Sequence, residues 1–194
     1  MKLVLATLNT HKKIEIKKIF FTNKIELLDC NDLQITKLPE ETGNTYEENA
    51  YIKAKYVFEQ TKLPTCSDDS GIEIEFFDFK PGVQSARFLS NLSYFEKNSY
   101  IIEQMKNTTQ RFAQYICSVV FINQDFKKTI TEKCTGKIAE KIRGTKGFGF
   151  DPIFIPDGYN FTFGELSLDI KNQISHRAKA FKILEDFLIQ KYNL

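Results

Sequence analysis

The chain has 194 residues, of which 42% are hydrophobic, with 18 Phe and a formal charge of +2 at neutral pH. That is enough for a substantial core in one domain or two closely joined lobes; no apolar run is long enough to cross a bilayer, and the charge is too near balance for wholesale nucleic-acid binding. Met1 to Ala6 lacks the long apolar region of a signal peptide. Cys30, Cys66, Cys117 and Cys134 have neither Cys-x-x-Cys spacing nor enough accompanying His for zinc. The expectation is a cytoplasmic protein with reduced thiols and a small-molecule partner, binding neither nucleic acid nor membrane.

Leu3 to Ala6 reads as a buried strand, and Thr7-Leu8-Asn9-Thr10-His11 as a polar loop into a helix whose apolar stripe is Ile16, Ile19 and Phe20. Thr45 with Glu48 three residues later makes a capping box, and Tyr46, Ala50, Ala54 and Val57 at helical spacing predict a helix over about 45–60. Pro64 to Ser67 and Ile72 to Phe77 read as two strands flanking an acidic turn, the second alternating Ile72, Ile74 and Phe76 against Glu73 and Glu75. A helix is expected from about Tyr94 to Met105. Tyr115 to Ile122 and Lys128 to Thr135 are strand-like and joined near Asn123-Gln124-Asp125, which makes an antiparallel hairpin. Ser175 is a candidate N-cap for a last helix that carries Ala178, Phe181, Leu184 and Leu188 on one face. With no linker and no repeat, residues 1–194 form one domain of α/β or α+β class, a mixed sheet flanked by helices.

Several segments suit phosphate chemistry. Ser67-Asp68-Asp69-Ser70-Gly71 places two adjacent carboxylates where a hard cation such as Mg²⁺ takes oxygen ligands, although the same string also reads as a solvated turn. The Thr7 to His11 loop at a helix N-terminus, with Lys12 and Lys13, is either an anion site or a surface helix start. Glu40-Glu41-Thr42-Gly43 precedes the second helix, where an acidic group joins a metal shell or merely complements the helix dipole. Lys53 shares a helix face with Asn49. Lys146-Gly147-Phe148-Gly149-Phe150-Asp151 is a nucleobase pocket or a tight turn with core rings. Ser175-His176-Arg177 offers donors for a base carbonyl or a phosphate, and nothing supports acyl transfer.

Taken in order, six segments resemble the inosine triphosphate pyrophosphatase family, and the match runs nearly end to end. They are Leu5-Ala6-Thr7-Leu8-Asn9-Thr10-His11-Lys12; Glu41-Thr42-Gly43-Asn44-Thr45-Tyr46-Glu47-Glu48-Asn49-Ala50 with Lys53-Ala54; Ser67 to Gly71; Pro81-Gly82-Val83-Gln84-Ser85-Ala86-Arg87-Phe88; Gly147 to Pro152; and Ser175 to Arg177. The resemblance implies a twisted mixed sheet with two lobes around a central nucleotide cleft, a Mg²⁺ requirement, a homodimer, and hydrolysis of ITP, dITP and XTP to nucleoside monophosphate and pyrophosphate. It assigns Thr7, Asn9, Lys12 and Lys53 to phosphate or substrate binding, with Ser70 and Arg87 as further substrate contacts. Glu40 and Asp69 fall on its metal positions, and Asp69 also matches its general base, with Asp68 the alternate. Phe148, Gly149, Phe150, Asp151, Lys171, His176 and Arg177 correspond to a pocket favouring a 6-keto over a 6-amino purine. Two departures stand out. Leu8 replaces a usual Gly, which has a positive φ or a close phosphate approach as its reason, and Gln84 replaces a commonly aromatic residue. The rivals are a pyrophosphatase of other base specificity and a catalytically silent nucleotide binder.

Overall fold

Strand β1 (Lys2–Leu5) opens the chain with an exposed lysine and three fully buried apolar residues, the pattern of a strand covered on both faces. The computed structural model describes residues 1–20 and 22–194. In it β1 pairs in parallel with β2 (Glu26–Asp29) and with the start of β3 (Thr65–Ile74). The short β4 (Lys80–Pro81) runs antiparallel to the far end of β3. Next come β5 (Phe112–Ile122), β6 (Lys127–Ile138) and β7 (Phe154–Pro156), with β7 antiparallel to β6. Among the described residues the sheet order is β2-β1-β3-β5-β6-β7, with β4 on β3. The class is α/β, a mixed sheet flanked by helices, as expected.

The chain divides into two compact units. The first comprises Met1–Asp69, Cys117–Glu132 and Arg177–Leu194; the second comprises Ser70–Ile116 and Lys133–His176. In the first, α1 (Thr10–Ile19), α2 (Tyr46–Thr61) and nearly all of α5 (His176–Tyr192) supply helices. Ile16, Ile19, Phe181, Leu184 and Leu188 pack with Leu3, Leu5, Val119 and Phe121 in one buried cluster. Fully burying a ring such as Phe181 contributes roughly 2–3 kcal/mol. The second unit holds α3 (Tyr94–Gln104) and α4 (Leu168–Ile174) and is built around Ile72, Ile74, Ile101, Met105, Tyr115 and Phe154.

Helix ends follow local chemistry. Thr45 Oγ1 accepts from the Glu48 N–H while the Glu48 carboxylate accepts from the Thr45 N–H, which starts α2 where the sequence placed it. Ser93 and Glu96 repeat the device at α3. Helix α5 starts directly after Ser175, which also terminates α4. Four short elements, β2, β4, β7 and α4, carry too few residues for a periodic signal and were not expected.

The acidic stretch is no turn. β3 runs unbroken from Thr65 to Ile74 and takes Asp68 and Asp69 into its buried interior, then gives way at Glu75–Phe77 to a 3₁₀ turn instead of continuing as strand. Gly71 is required there for space: a Cβ would lie 2.2 Å from the Gly82 carbonyl oxygen.

Candidate active site

Successive residues on a strand point to opposite faces, so Asp68 and Asp69 meet different surroundings. Asp68 is fully buried, with Lys12 Nζ 2.9 Å and Arg177 Nε 3.3 Å from Oδ2. The Cys117 thiol lies 3.8 Å from the same oxygen. Arg177, itself buried, extends the chain of charges through Nη1 to Glu15 Oε2 at 2.6 Å. Burial alone would raise the Asp68 pKa, but Lys12, Arg177 and Lys53 outweigh it and hold the carboxyl well below the usual carboxylate range. A carboxylate so held is a poor proton acceptor. Arg177 faces Asp68 and Glu15, so its guanidinium organises the anionic strand in the first unit.

Asp69 is the reverse case. Burial pushes its pKa up, and the charge of Glu41 adds to that, against the pull of Lys53, Lys12 and a hydrogen bond from Asn49. Asn49 Nδ2 donates to Asp69 Oδ2 at 3.1 Å, and its Oδ1 accepts from the Gly43 N–H at 2.8 Å. Lys53, buried, reaches Glu41 Oε1 at 2.5 Å and the Asp68 carbonyl at 2.8 Å. Glu40 is exposed, and its carbonyl accepts from the Thr42 N–H. The carboxylate that bears on Asp69 is therefore Glu41. Sequence weighed the acidic segment that contains Glu41 but gave the metal position to its neighbour Glu40, and it noted Asn49 only for sharing a helix face with Lys53.

The loop between β1 and α1 brings Thr7, Asn9 and Lys12 together. Thr7 Oγ1 accepts from the Asn9 N–H, and Asn9 Oδ1 caps α1 by accepting from the His11 and Lys12 N–H groups. Lys13 leaves this group: it turns to Asp29 Oδ1 at 3.2 Å, while Lys17 takes Oδ2 at 3.0 Å. Leu8 is not among the residues with positive φ, so the loop does not need glycine's conformational freedom at that position.

In the second unit Asp151 and Lys171 are both buried and paired at 2.5 Å. Asp151 Oδ2 also accepts from the Phe148 N–H at 2.8 Å. Gly147 has φ +71°, and a Cβ there would fall 2.0 Å from that carboxylate, so the loop closes only with glycine. Lys171 Nζ stands 5.0 Å from the centre of the half-buried Phe148 ring. The Gly149 carbonyl accepts from Asn98 Nδ2 at 3.1 Å. Phe150 is core, edge-on to Tyr94 at 5.5 Å, and offers no open face of its own. His176 is buried with its ring stacked on Tyr115 at 4.6 Å. Ser70 is partly exposed, and Arg87 is exposed with Nε on the Gln84 side chain at 2.8 Å. Gln84, the departure from an aromatic residue, thus orients Arg87.

The first unit can accept a proton at Asp69 beside lysines that attract an anion, and the second can offer a ring and an ammonium to a flat heterocycle. Among the described residues no cluster of three or more His, Cys, Asp or Glu is poised for a metal ion, and no helix is long and apolar enough to cross a membrane.

Residues 3–187 match the Ham1 family. A dITP/XTP pyrophosphatase of Dictyoglomus thermophilum is 44% identical over 191 residues, covering 96% of this chain and 93% of that protein. One from Christiangramia forsetii is 40% identical over 189 residues, covering 97% and 99%. The structure of the Staphylococcus aureus Ham1 protein matches with a TM-score of 0.87 at 33% identity, over 98% of this chain and 100% of that one.

Proposed function

The chain belongs to the Ham1 family, and we propose that it is a nucleoside triphosphate pyrophosphohydrolase that converts ITP, dITP and XTP to the monophosphate and pyrophosphate. The observation that carries this reading is the unequal treatment of two neighbouring carboxylates. Asp68 is held ionised by Lys12 and Arg177, whereas Asp69 has its proton affinity raised beside Lys53. Pairs of acids whose surroundings push their pKa values apart are how sites divide acid and base work.

Asp69 and Glu41 fit a Mg²⁺ ion. Both are hard oxygen donors, and Glu41 raises the pKa of Asp69, a like-charge repulsion that a bound cation would relieve. Magnesium commonly uses one or two carboxylates and completes its shell with water and substrate phosphate. Bound there, Mg²⁺ supplies charge neutralisation on the triphosphate and acidifies a water molecule. We prefer Glu41 to Glu40 for this role because Glu40 is exposed while Glu41 contacts Lys53.

Lys12 and Lys53 offset the negative charge of the triphosphate. Water attacks at the α–β linkage, pyrophosphate leaves, and Asp69 takes the water's proton; a water that Mg²⁺ would acidify gives up its proton even to a carboxylate that helps hold the ion. Phe148 stacks on the purine, and the Lys171 ammonium donates to a 6-keto oxygen. A 6-amino group would bring a donor rather than an acceptor towards that ammonium, which disfavours adenine. A homodimer and a cytoplasmic location follow from the same resemblance, and light scattering of the purified protein checks the first.

The test is product analysis with dITP, XTP, GTP and ATP, with Mg²⁺ and with chelator. Metal-dependent release of pyrophosphate favouring dITP and XTP supports the reading; release of orthophosphate, or equal rates on ATP, refutes it. Comparison of Glu41→Gln with Glu40→Gln decides the metal ligand, the true one requiring a much higher Mg²⁺ concentration for half-maximal rate.

A further inference from the structure

We infer that Asn49 is a positioning residue for Asp69: its carboxamide joins the Gly43 loop to the Asp69 carboxylate and sets how that carboxylate is presented. This rests on the proposed function and adds a residue to it.

The orientation of the amide follows from chemistry alone. The Gly43 backbone N–H can only donate, so the Asn49 atom facing it is Oδ1, which leaves the Nδ2 donor for Asp69 Oδ2. Asn49 is fully buried, so an alternative partner in water is not available to it. Gly43 permits the close approach: a Cβ there would lie 2.6 Å from Glu48 Cβ and 2.8 Å from Asn49 Oδ1. The same loop is fastened again by Glu48, whose Oε2 accepts from the Asn44 and Thr45 N–H groups at 2.7 and 3.1 Å.

A closed circuit results. Asp69 is held by Asn49, Asn49 by Gly43, and Gly43 is two residues from Glu41; Glu41 holds Lys53, and Lys53 holds the carbonyl of Asp68, next to Asp69. Asn49 and Lys53 are one helical turn apart on α2, so a single rigid helix carries both fasteners. The two carboxylates, Glu41 and Asp69, thereby keep a fixed relation through α2. Misplacing a reacting group by about 1 Å can cost ~100-fold in rate.

Asn49→Asp separates the two halves of the clamp. It keeps an acceptor for the Gly43 N–H at nearly the same volume but removes the donor to Asp69. It also sets a second carboxylate against the buried Asp69, a like charge that is unfavourable whatever the role of Asn49, so the uncharged Asn49→Ala carries the comparison. The positioning role predicts that kcat on XTP falls ~100-fold while KM changes by less than about threefold, within the scatter of indirect contacts. Asn49→Ala introduces no charge and should show the same kcat-specific loss should Asn49→Asp fold poorly. The thermal midpoint, measured on each protein without nucleotide, is also expected to rise with Mg²⁺ in the wild type and to rise less in Asn49→Ala, which adds no carboxylate of its own to the site. Wild-type turnover by itself tests the function, and the ratio of variant to wild type tests Asn49. A folded Asn49→Asp or Asn49→Ala with near-normal kcat, a loss confined to KM, or an undiminished Mg²⁺-induced rise in the midpoint of Asn49→Ala would overturn the inference.

Discussion

Two regions of the molecule bury a carboxylate against a lysine, and they use it differently. In the second unit Asp151 and Lys171 form one closed pair that also takes the Phe148 N–H, so the charges fix the shape of a glycine loop. In the first unit Lys12, Lys53 and Arg177 face Asp68, Asp69, Glu15 and Glu41 in a linked set, where Asp68 takes most of the cationic contact and Asp69 is left with a raised proton affinity. The same ion pair is a fastener in one place and a means of setting reactivity in the other. What decides is whether a neighbouring carboxylate shares the cations.

Breaking the linked set should do the most damage. Arg177→Met leaves both Asp68 and Glu15 buried without their guanidinium, and removing one partner of a buried pair costs about 3–5 kcal/mol. Chemical denaturation should show a loss of at least that size. In the second unit Lys171→Met strands Asp151 in a similar way, with a cost of about the same 3–5 kcal/mol at most, but its functional signature should be distinct. The Phe148 loop loses its anchor, so KM for XTP should rise more than kcat falls. A variant that lost kcat alone would erase the contrast between the regions.

Much of this organisation was legible from sequence where the signal is local. The Thr45 and Glu48 capping box, the stripe of Ala178, Phe181, Leu184 and Leu188, and the hairpin around Asn123 all rest on residues close in the chain, and the structure has them. The acidic stretch was misread as a turn because Asp, Ser and Gly prefer turns in isolation. Its burial depends on cations from α1, α2 and α5, the last lying 109 residues further on. For the same reason the contacts of Arg177 with Asp68 and Glu15, and those of Glu41 and Asn49 with Lys53 and Asp69, could not be read from sequence. Which of two adjacent glutamates reaches a lysine twelve residues away is a matter of loop path, which no local pattern states.

Asp29 offers a control for the charge argument. It is paired with Lys13 and Lys17 outside the linked set, and although burial acts to raise its pKa, the hydrogen bonds from Lys17, Asn31 and Lys13 bring it down to about 2. A depressed folded pKa contributes stability that is present above the unfolded value near pH 4 and lost as pH falls through about 2. Allowing for the half-exposed Lys17, the contribution is on the order of 1–2 kcal/mol. Asp29→Asn should therefore narrow the stability difference between pH 7 and pH 2 by that amount while leaving turnover near normal. The smallest effect belongs to Leu8→Gly. Because Leu8 does not occupy a positive φ, steady-state rates should change by no more than a few-fold; a large gain would show that the side chain obstructs phosphate and would revive the silent binder.

The most direct measurement is kcat of Asp69→Asn on XTP, taken with the thermal midpoint of the same preparation. Removing a general base typically costs about 10²–10⁴ in rate, and here the fold should survive because Asn49 and the cations around Asp68 remain. The account predicts a loss in that range with a midpoint within a few degrees of wild type. Turnover within tenfold of wild type would contradict it and move the chemistry away from Asp69.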